Sequence, residues 1–143
     1  GGNGGAAGVG GGGSGNPGVG GAGIIGSGIT IINSGTITGG TGNGGQADAI
    51  TFTGGTNVYQ GIGDTLNGNV TVNAGATLYA IGTVNTSGLV NVNGAIAAGP
   101  VGGIGNATIA GSLVMNPGSS FSCSSLRIKA GRSALLIVDV KPT

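Results

Sequence analysis

The sequence predicts an all-β fold, a parallel β-helix (solenoid) of about five rungs with ~20 residues in each. Three observations lead there. The first is composition: 38 glycines in 143 residues, 5% charged side chains, and no Trp or His, against roughly 25% charged residues and about 7% Gly in an ordinary domain. So much Gly disfavours helices, where each interior Gly costs about 1 kcal/mol relative to Ala. So little charge argues against the usual disordered chain. The second is a step of twenty residues that relates Ile32, Phe52, Val72 and Val92, and again Ile50, Val70 and Val90. A fixed period of this size marks units that bury an apolar face only against their neighbours. The third is the corner that follows these strands: Ile32-Asn33-Ser34-Gly35, Val72-Asn73-Ala74-Gly75, Val92-Asn93-Gly94 and Met115-Asn116-Pro117-Gly118.

In chain order, residues 1–23 form a Gly-rich low-complexity segment. A flexible linker is the first expectation, because little here can be buried to offset ordering entropy. An ordered Gly-rich loop, or polyglycine turns stacked on the first rung, is the alternative. The repeats occupy 24–121. Ile24-Ile25 leads into Ile29-Thr30-Ile31-Ile32, whose β-branched residues favour strand. Ile29 and Ile31 here oppose Ile32, which means either a strand covered on both sides or a different register. Gly39 to Gly45 is a second Gly-rich loop, and Ala49–Thr53 resumes the alternation. Val58 and Leu78, Tyr59 and Tyr79, and Val84 and Ile104 extend the twenty-residue step to other sides of the coil. The tyrosines are expected to stack as a cross-rung pair.

The reference rung is Asn69–Leu78, with Val70 and Val72 inward and Thr71 outward. From Val92 to Met115 the step lengthens to twenty-three, with Gly99–Gly103 as the site of the extra residues. Leu113–Phe121 then aligns with Val70–Leu78. The rung positions are therefore Ile32, Phe52, Val72, Val92 and Met115. The corner asparagines are Asn33, Asn73, Asn93 and Asn116, with a side-chain ladder expected at Asn73 and Asn93. Residues 122–143 break the pattern, carrying Cys123, Asp139 and all four basic residues, Arg127, Lys129, Arg132 and Lys141. They read as a terminal cap that protects an open edge, or as a non-native continuation such as a shifted reading frame.

Chemistry is sparse. Without His and with one Cys, triads and Cys/His metal sites cannot be built. No catalytic residue, cofactor or metal is expected, and no basic stripe suggests nucleic acid. Asp48 and Asp64 are sixteen apart, near the coil period, so a glycosidase-like pair is conceivable but disfavoured. No leader segment or apolar run of about 18 residues is present, so an export signal, if there is one, is expected outside these residues.

Gly21–Gly40, with Ile29-Thr30-Ile31-Ile32-Asn33-Ser34-Gly35-Thr36-Ile37-Thr38 at its centre, resembles the repeat of large autotransporter passenger domains of Gram-negative bacteria. Ala47–Asn57 and Leu66–Val70 resemble a second block. The resemblance implies a right-handed parallel β-helix, secreted or held at the cell surface by a C-terminal outer-membrane β-barrel. It also implies a structural or adhesive role, with a host or bacterial surface receptor, or self-association, as partner. An inert spacer is the alternative, and a polysaccharide-acting β-helix enzyme a lesser one. Gln60–Asp64 departs from the pattern, and so does the tail. Gly61-Ile62-Gly63-Asp64-Thr65-Leu66-Asn67-Gly68-Asn69 is also similar to one turn of the calcium-binding nonapeptide repeat. A single copy with one Asp makes a solvated turn aspartate the expectation there. Residues 1–21 further resemble, in composition alone, the Gly-Gly-Asn repeats of mycobacterial surface proteins.

Overall fold

A computed structural model describes residues 1–5, 18–103 and 105–122, together with the backbone of 126–129. The described residues are all-β, and parallel strands stack as a solenoid of about four turns. The strands are β1 (Ile24–Ser27), β2 (Thr30–Asn33), β3 (Thr36–Thr38), β4 (Thr41–Gly42), β5 (Gly45–Gln46), β6 (Ile50–Gly61) and β7 (Thr65–Asn67). They continue as β8 (Val70–Val72), β9 (Ala76–Val92), β10 (Ala95–Ala98), β11 (Ala107–Met115), β12 (Ser120–Ser122) and β13 (Leu126–Lys129). Every pairing is parallel except the small β4–β5 hairpin.

The reference rung sits where the period places it. Val70 and Val72 are paired below with Ile50 and Phe52 and above with Val90 and Val92. The next pairing, to Leu113 and Met115, crosses the twenty-three-residue step intact. Alternation does the rest: Ile50, Phe52, Val70, Val72, Val90 and Val92 are buried, while Thr51, Thr71 and Asn91 face out. A second inward column runs from Leu78 to Ile96 to Phe121, as the alignment of Leu113–Phe121 with Val70–Leu78 requires. Between the columns, the chain turns at Asn73-Ala74-Gly75-Ala76 and Asn116-Pro117-Gly118-Ser119. Each turn closes with a bond from the fourth N–H to the Asn carbonyl, 3.0 Å in both. Gly75 and Gly118 take φ of 81° and 85°, the left-handed conformation that Gly tolerates at the third turn position.

The first coil departs from the period, and Ile32 is the position that fails. Phe52 is paired below with Gly26, and Ile32 lies beside Gln60, 67% exposed. The β4–β5 hairpin lengthens this coil, so counting back twenty residues lands on the wrong strand. Ile29 and Ile31 instead pack on the core, which settles the ambiguity of that strand in favour of a shifted register.

Corner length shifts the later columns as well. Two residues separate Phe52 from Gly55, and three separate Val72 from its partner's neighbour Ala76, so the step becomes twenty-one. Asn57 therefore pairs with Leu78, Val58 with Tyr79, and Tyr59 with Ala80. Neither Val58–Leu78 nor the Tyr59–Tyr79 stack exists: Tyr59 points in and Tyr79 out. Val84 is paired with Ile109, and Ile104 lies outside the described residues.

At the N-terminal end, the described part of the Gly-rich segment is packed against the coil, contrary to the flexible-linker expectation. Gly4 N–H donates to Thr41 O (2.6 Å), Gly21 N–H to Gly2 O (2.8 Å) and Gly40 N–H to Gly21 O (2.7 Å). Residues 6–17 lie outside the described set. At the other end, β12 pairs with β10 and β13 with β11, so the coil runs on past residue 121. Cys123, Arg132, Asp139 and Lys141, and with them the cap and shifted-frame readings, lie outside the described residues.

Candidate functional site

The described residues bring polar side chains together in one buried chain. Tyr59, 1% exposed, donates its hydroxyl to Asp64 Oδ2 and accepts from Asn33 Nδ2 at 3.2 Å. Asn33 Oδ1 accepts from Gly35 N–H at 3.0 Å. On the next coil, Asn85 Nδ2 donates to Asp64 O (2.9 Å) and Asn85 N–H approaches Asp64 Oδ2 (3.5 Å). Three successive coils are thus tied through Tyr59 and Asp64. Burial above all, reinforced by the hydrogen bond to Asp64, pushes the phenol well above the usual tyrosine value of 10.0. It therefore stays a donor at neutral pH.

Asp64 is not the solvated turn aspartate expected from its Gly-rich surroundings: it is 2% exposed. Its Oδ1 has no hydrogen-bond partner among the described residues. That oxygen lies over Gly61, where an added Cβ would come within 2.6 Å of it and 1.8 Å of Thr83 O. The space is closed by backbone, and one carboxylate cannot supply the six or so oxygens that Ca²⁺ requires. Among the described residues, no three His, Cys, Asp or Glu side chains group as a metal set. Asp48 is used elsewhere, accepting from Thr51 Oγ1 (3.0 Å) and Asn69 Nδ2 (3.4 Å). It shares no hydrogen-bond partner with Asp64 among the described residues.

The corner asparagines stack through backbone rather than side chains. Asn73, Asn93 and Asn116 N–H groups donate to Phe52, Val72 and Val92 carbonyls at 3.0, 2.8 and 2.9 Å. Asn33 stands outside this column, beside Gly61. Asn116 Nδ2 reaches Asn91 Oδ1 at 2.7 Å and Val92 O at 3.3 Å. Among the described residues, the Asn73 and Asn93 side chains make no hydrogen bond, so the expected side-chain ladder is absent there.

The work assigned to that ladder is done by Asn57 and Asn69, which sequence reading passed over. Asn57, fully buried in the Leu78 column, accepts from Ile29 N–H (3.1 Å) and donates to Gly54 O and Gly55 O (both 3.0 Å) and Thr77 O (3.3 Å). Both its oxygen and its nitrogen have partners, which is what makes an amide tolerable in a core. Asn69 Oδ1 accepts from Leu89 N–H at 3.1 Å. The available signal was the twenty-one-residue offset, which puts Asn57 at an inward position.

Among the described residues, the outer surface of the coil carries little charge, with Asp48 half-buried beside Thr51. On the first side Thr51, Thr71 and Asn91 form a row along the axis. On the second, Ala95 stands between Thr77 and Ser120, and Ala97 between Tyr79 and Ser122. Gly102 and Gly103, from the insertion after β10, border this patch, a half-open pocket of about 430 Å³. Comparison with protein-family models, curated proteins and solved structures finds no match. Architecture and surface chemistry are therefore the ground for a functional reading.

Proposed function

We propose that these residues belong to an autotransporter passenger domain that projects from a bacterial surface and mediates adhesion or cell–cell aggregation. The observation that carries this reading is the division of labour in the coil. Most of its apolar side chains and its buried tyrosine–carboxylate chain lie inside, while the outer row of Thr51, Thr71 and Asn91 offers hydroxyls and an amide between the exposed Ile25 and Val114, with the Asp48 carboxylate held on Thr51. Strands about 4.8 Å apart repeat that surface along the axis. Weak contacts repeated on one rigid body gain strength by avidity without a deep pocket. The autotransporter assignment rests on the repeat resemblance of residues 21–40, 47–57 and 66–70.

The test is to display residues 1–143 on an outer-membrane barrel and measure attachment to epithelial cells and settling of the bacteria. A gain over the empty barrel in either assay is expected. Equal behaviour of the two strains overturns the adhesive role and leaves a spacer that merely holds a distal segment away from the membrane.

A further inference from the structure

We infer that the trough beside Tyr79 binds a neutral glycan, a short oligosaccharide of uncharged hexoses. The inference names the partner of the adhesive surface and rests on that reading for its biological role, while binding itself is testable alone. Alternation along β9 turns Leu78 and Ala80 inward and Thr77 and Tyr79 outward. On the next coil the same outward positions hold Ala95 and Ala97, and on the one after that Ser120 and Ser122. A large ring thus borders a shelf of two methyl groups, one strand spacing of about 4.8 Å away. Ala97 is only 9% exposed although it faces outward, so it forms the covered floor of the trough. Gly102 and Gly103 close it with backbone alone.

The chemistry of this trough matches a pyranose. Such a sugar has an apolar C–H face, which the Tyr79 ring and the alanine methyls can cover, and a rim of hydroxyls. Thr77, Ser120, Ser122 and the phenol supply donors and acceptors for that rim. A cavity of about 430 Å³ lies in the range of small-ligand sites, roughly 300–1,000 Å³. Among the described residues no charged side chain lines it, so an anionic sugar would lose hydration there without a counter-charge. A purely apolar ligand would leave the hydroxyls without partners.

The chain has two tyrosines and no Trp, and the Tyr59 ring is enclosed in the core. A change in tyrosine emission on adding sugar therefore reports Tyr79. The probes are neutral di- to tetrasaccharides of glucose, galactose and mannose, with sialylated and sulfated oligosaccharides as the contrast. A saturable change with at least one neutral probe is expected. By calorimetry, Tyr79→Ala and Ala97→Leu each weaken that binding roughly tenfold or more, the first by removing the ring and the second by filling the shelf. Both changes are on the outer face, and far-UV circular dichroism checks that each variant keeps the coil. No saturable response to any neutral probe at millimolar concentration overturns the proposal. So does a response confined to charged probes, or one that survives both substitutions. Adhesion unchanged by an Ala97→Leu variant that has lost glycan binding overturns the trough as the adhesive contact and spares the adhesive role, whereas glycan binding without adhesion overturns the adhesive role and spares the trough.

Discussion

Two regions of this molecule are tightly packed by opposite means. Between residues 50 and 98, density comes from side chains: Ile50, Phe52, Val70, Val72, Leu78 and Val90 are all at most 1% exposed. At the N-terminal end it comes from bare backbone. An added Cβ on Gly4 would lie 1.8 Å from Gly18 O, and one on Gly20 would lie 2.2 Å from Gly40 O. The first region gains hydrophobic free energy from every buried methyl. The second gains mainly hydrogen bonds between main chains, each worth about 1 kcal/mol net, while ordering glycines that lose the most conformational freedom. Equal density therefore does not mean equal stability. The coil is expected to unfold as one unit, with the glycine layer peeling away first.

Truncation in the coil has the largest effect expected. Phe52→Ala opens a cavity between Gly26 and Val72 and should cost about 3–5 kcal/mol, read as a lower urea midpoint with an unchanged slope. A loss below about 1 kcal/mol would mean that the coil is loosely packed, and the contrast with the glycine layer would lose its basis.

Next comes the buried chain that braces the coil. Tyr59→Phe removes the hydroxyl that serves both Asp64 and Asn33 and should cost about 1–3 kcal/mol. It should also change the alkaline behaviour. The folded phenol titrates above the usual 10.0, so between the unfolded and folded values the unfolded chain has lost a proton that the native one keeps. The stability that this group contributes is complete below about pH 10 and is lost as pH rises beyond it. A urea-midpoint series from pH 8 to 11.5 should show that loss in the parent and a shallower one in Tyr59→Phe. Identical slopes would mean that the brace does not control alkaline unfolding.

The amides separate by what they bond to. Asn57→Ala leaves Ile29 N–H and the carbonyls of Gly54, Gly55 and Thr77 without their partner, a loss of about 1–3 kcal/mol. Asn93→Ala touches only a side chain with no hydrogen bond among the described residues and should stay within about 0.5 kcal/mol. Equal losses from the two would restore the corner ladder read from the sequence.

That contrast also shows what was legible beforehand. The period could be read from Phe52, Val72 and Val92 because those coils carry no insertion on that side, and the solenoid follows from it. Ile32 was misassigned because the β4–β5 hairpin adds residues that no local pattern flags. Tyr59 and Tyr79 share a spacing of twenty but not a face, because one extra residue at the Asn73–Gly75 corner flips the alternation. Asp64 looked solvated because its neighbours Gly61 and Gly63 mark a turn, and its partner Asn85, twenty-one residues on, is brought to it only by the coil. The trough was invisible for the same reason. It joins Tyr79, Ala97 and Ser122 across steps of eighteen and twenty-five residues.

The smallest global effect is expected where the crowding is greatest. An Ala at Gly40 would put its Cβ 1.8 Å from Gly2 O and 3.1 Å from Asn3 N, so the first residues must move away. Their hydrogen bonds, Gly4 to Thr41 and Gly21 to Gly2, would go with them. The coil beyond keeps all its pairings, because none of the side chains buried between residues 50 and 98 depends on that layer. Gly40→Ala should therefore shift the urea midpoint by no more than about 0.5 kcal/mol. Amide exchange at Gly4, Gly21 and Gly40 should rise to nearly unprotected rates while that at Val72 and Val92 stays unchanged. If instead Val72 and Val92 lose protection in step with Gly21, the glycine layer shares the coil's cooperative unit. Backbone packing would then bear load as side-chain packing does.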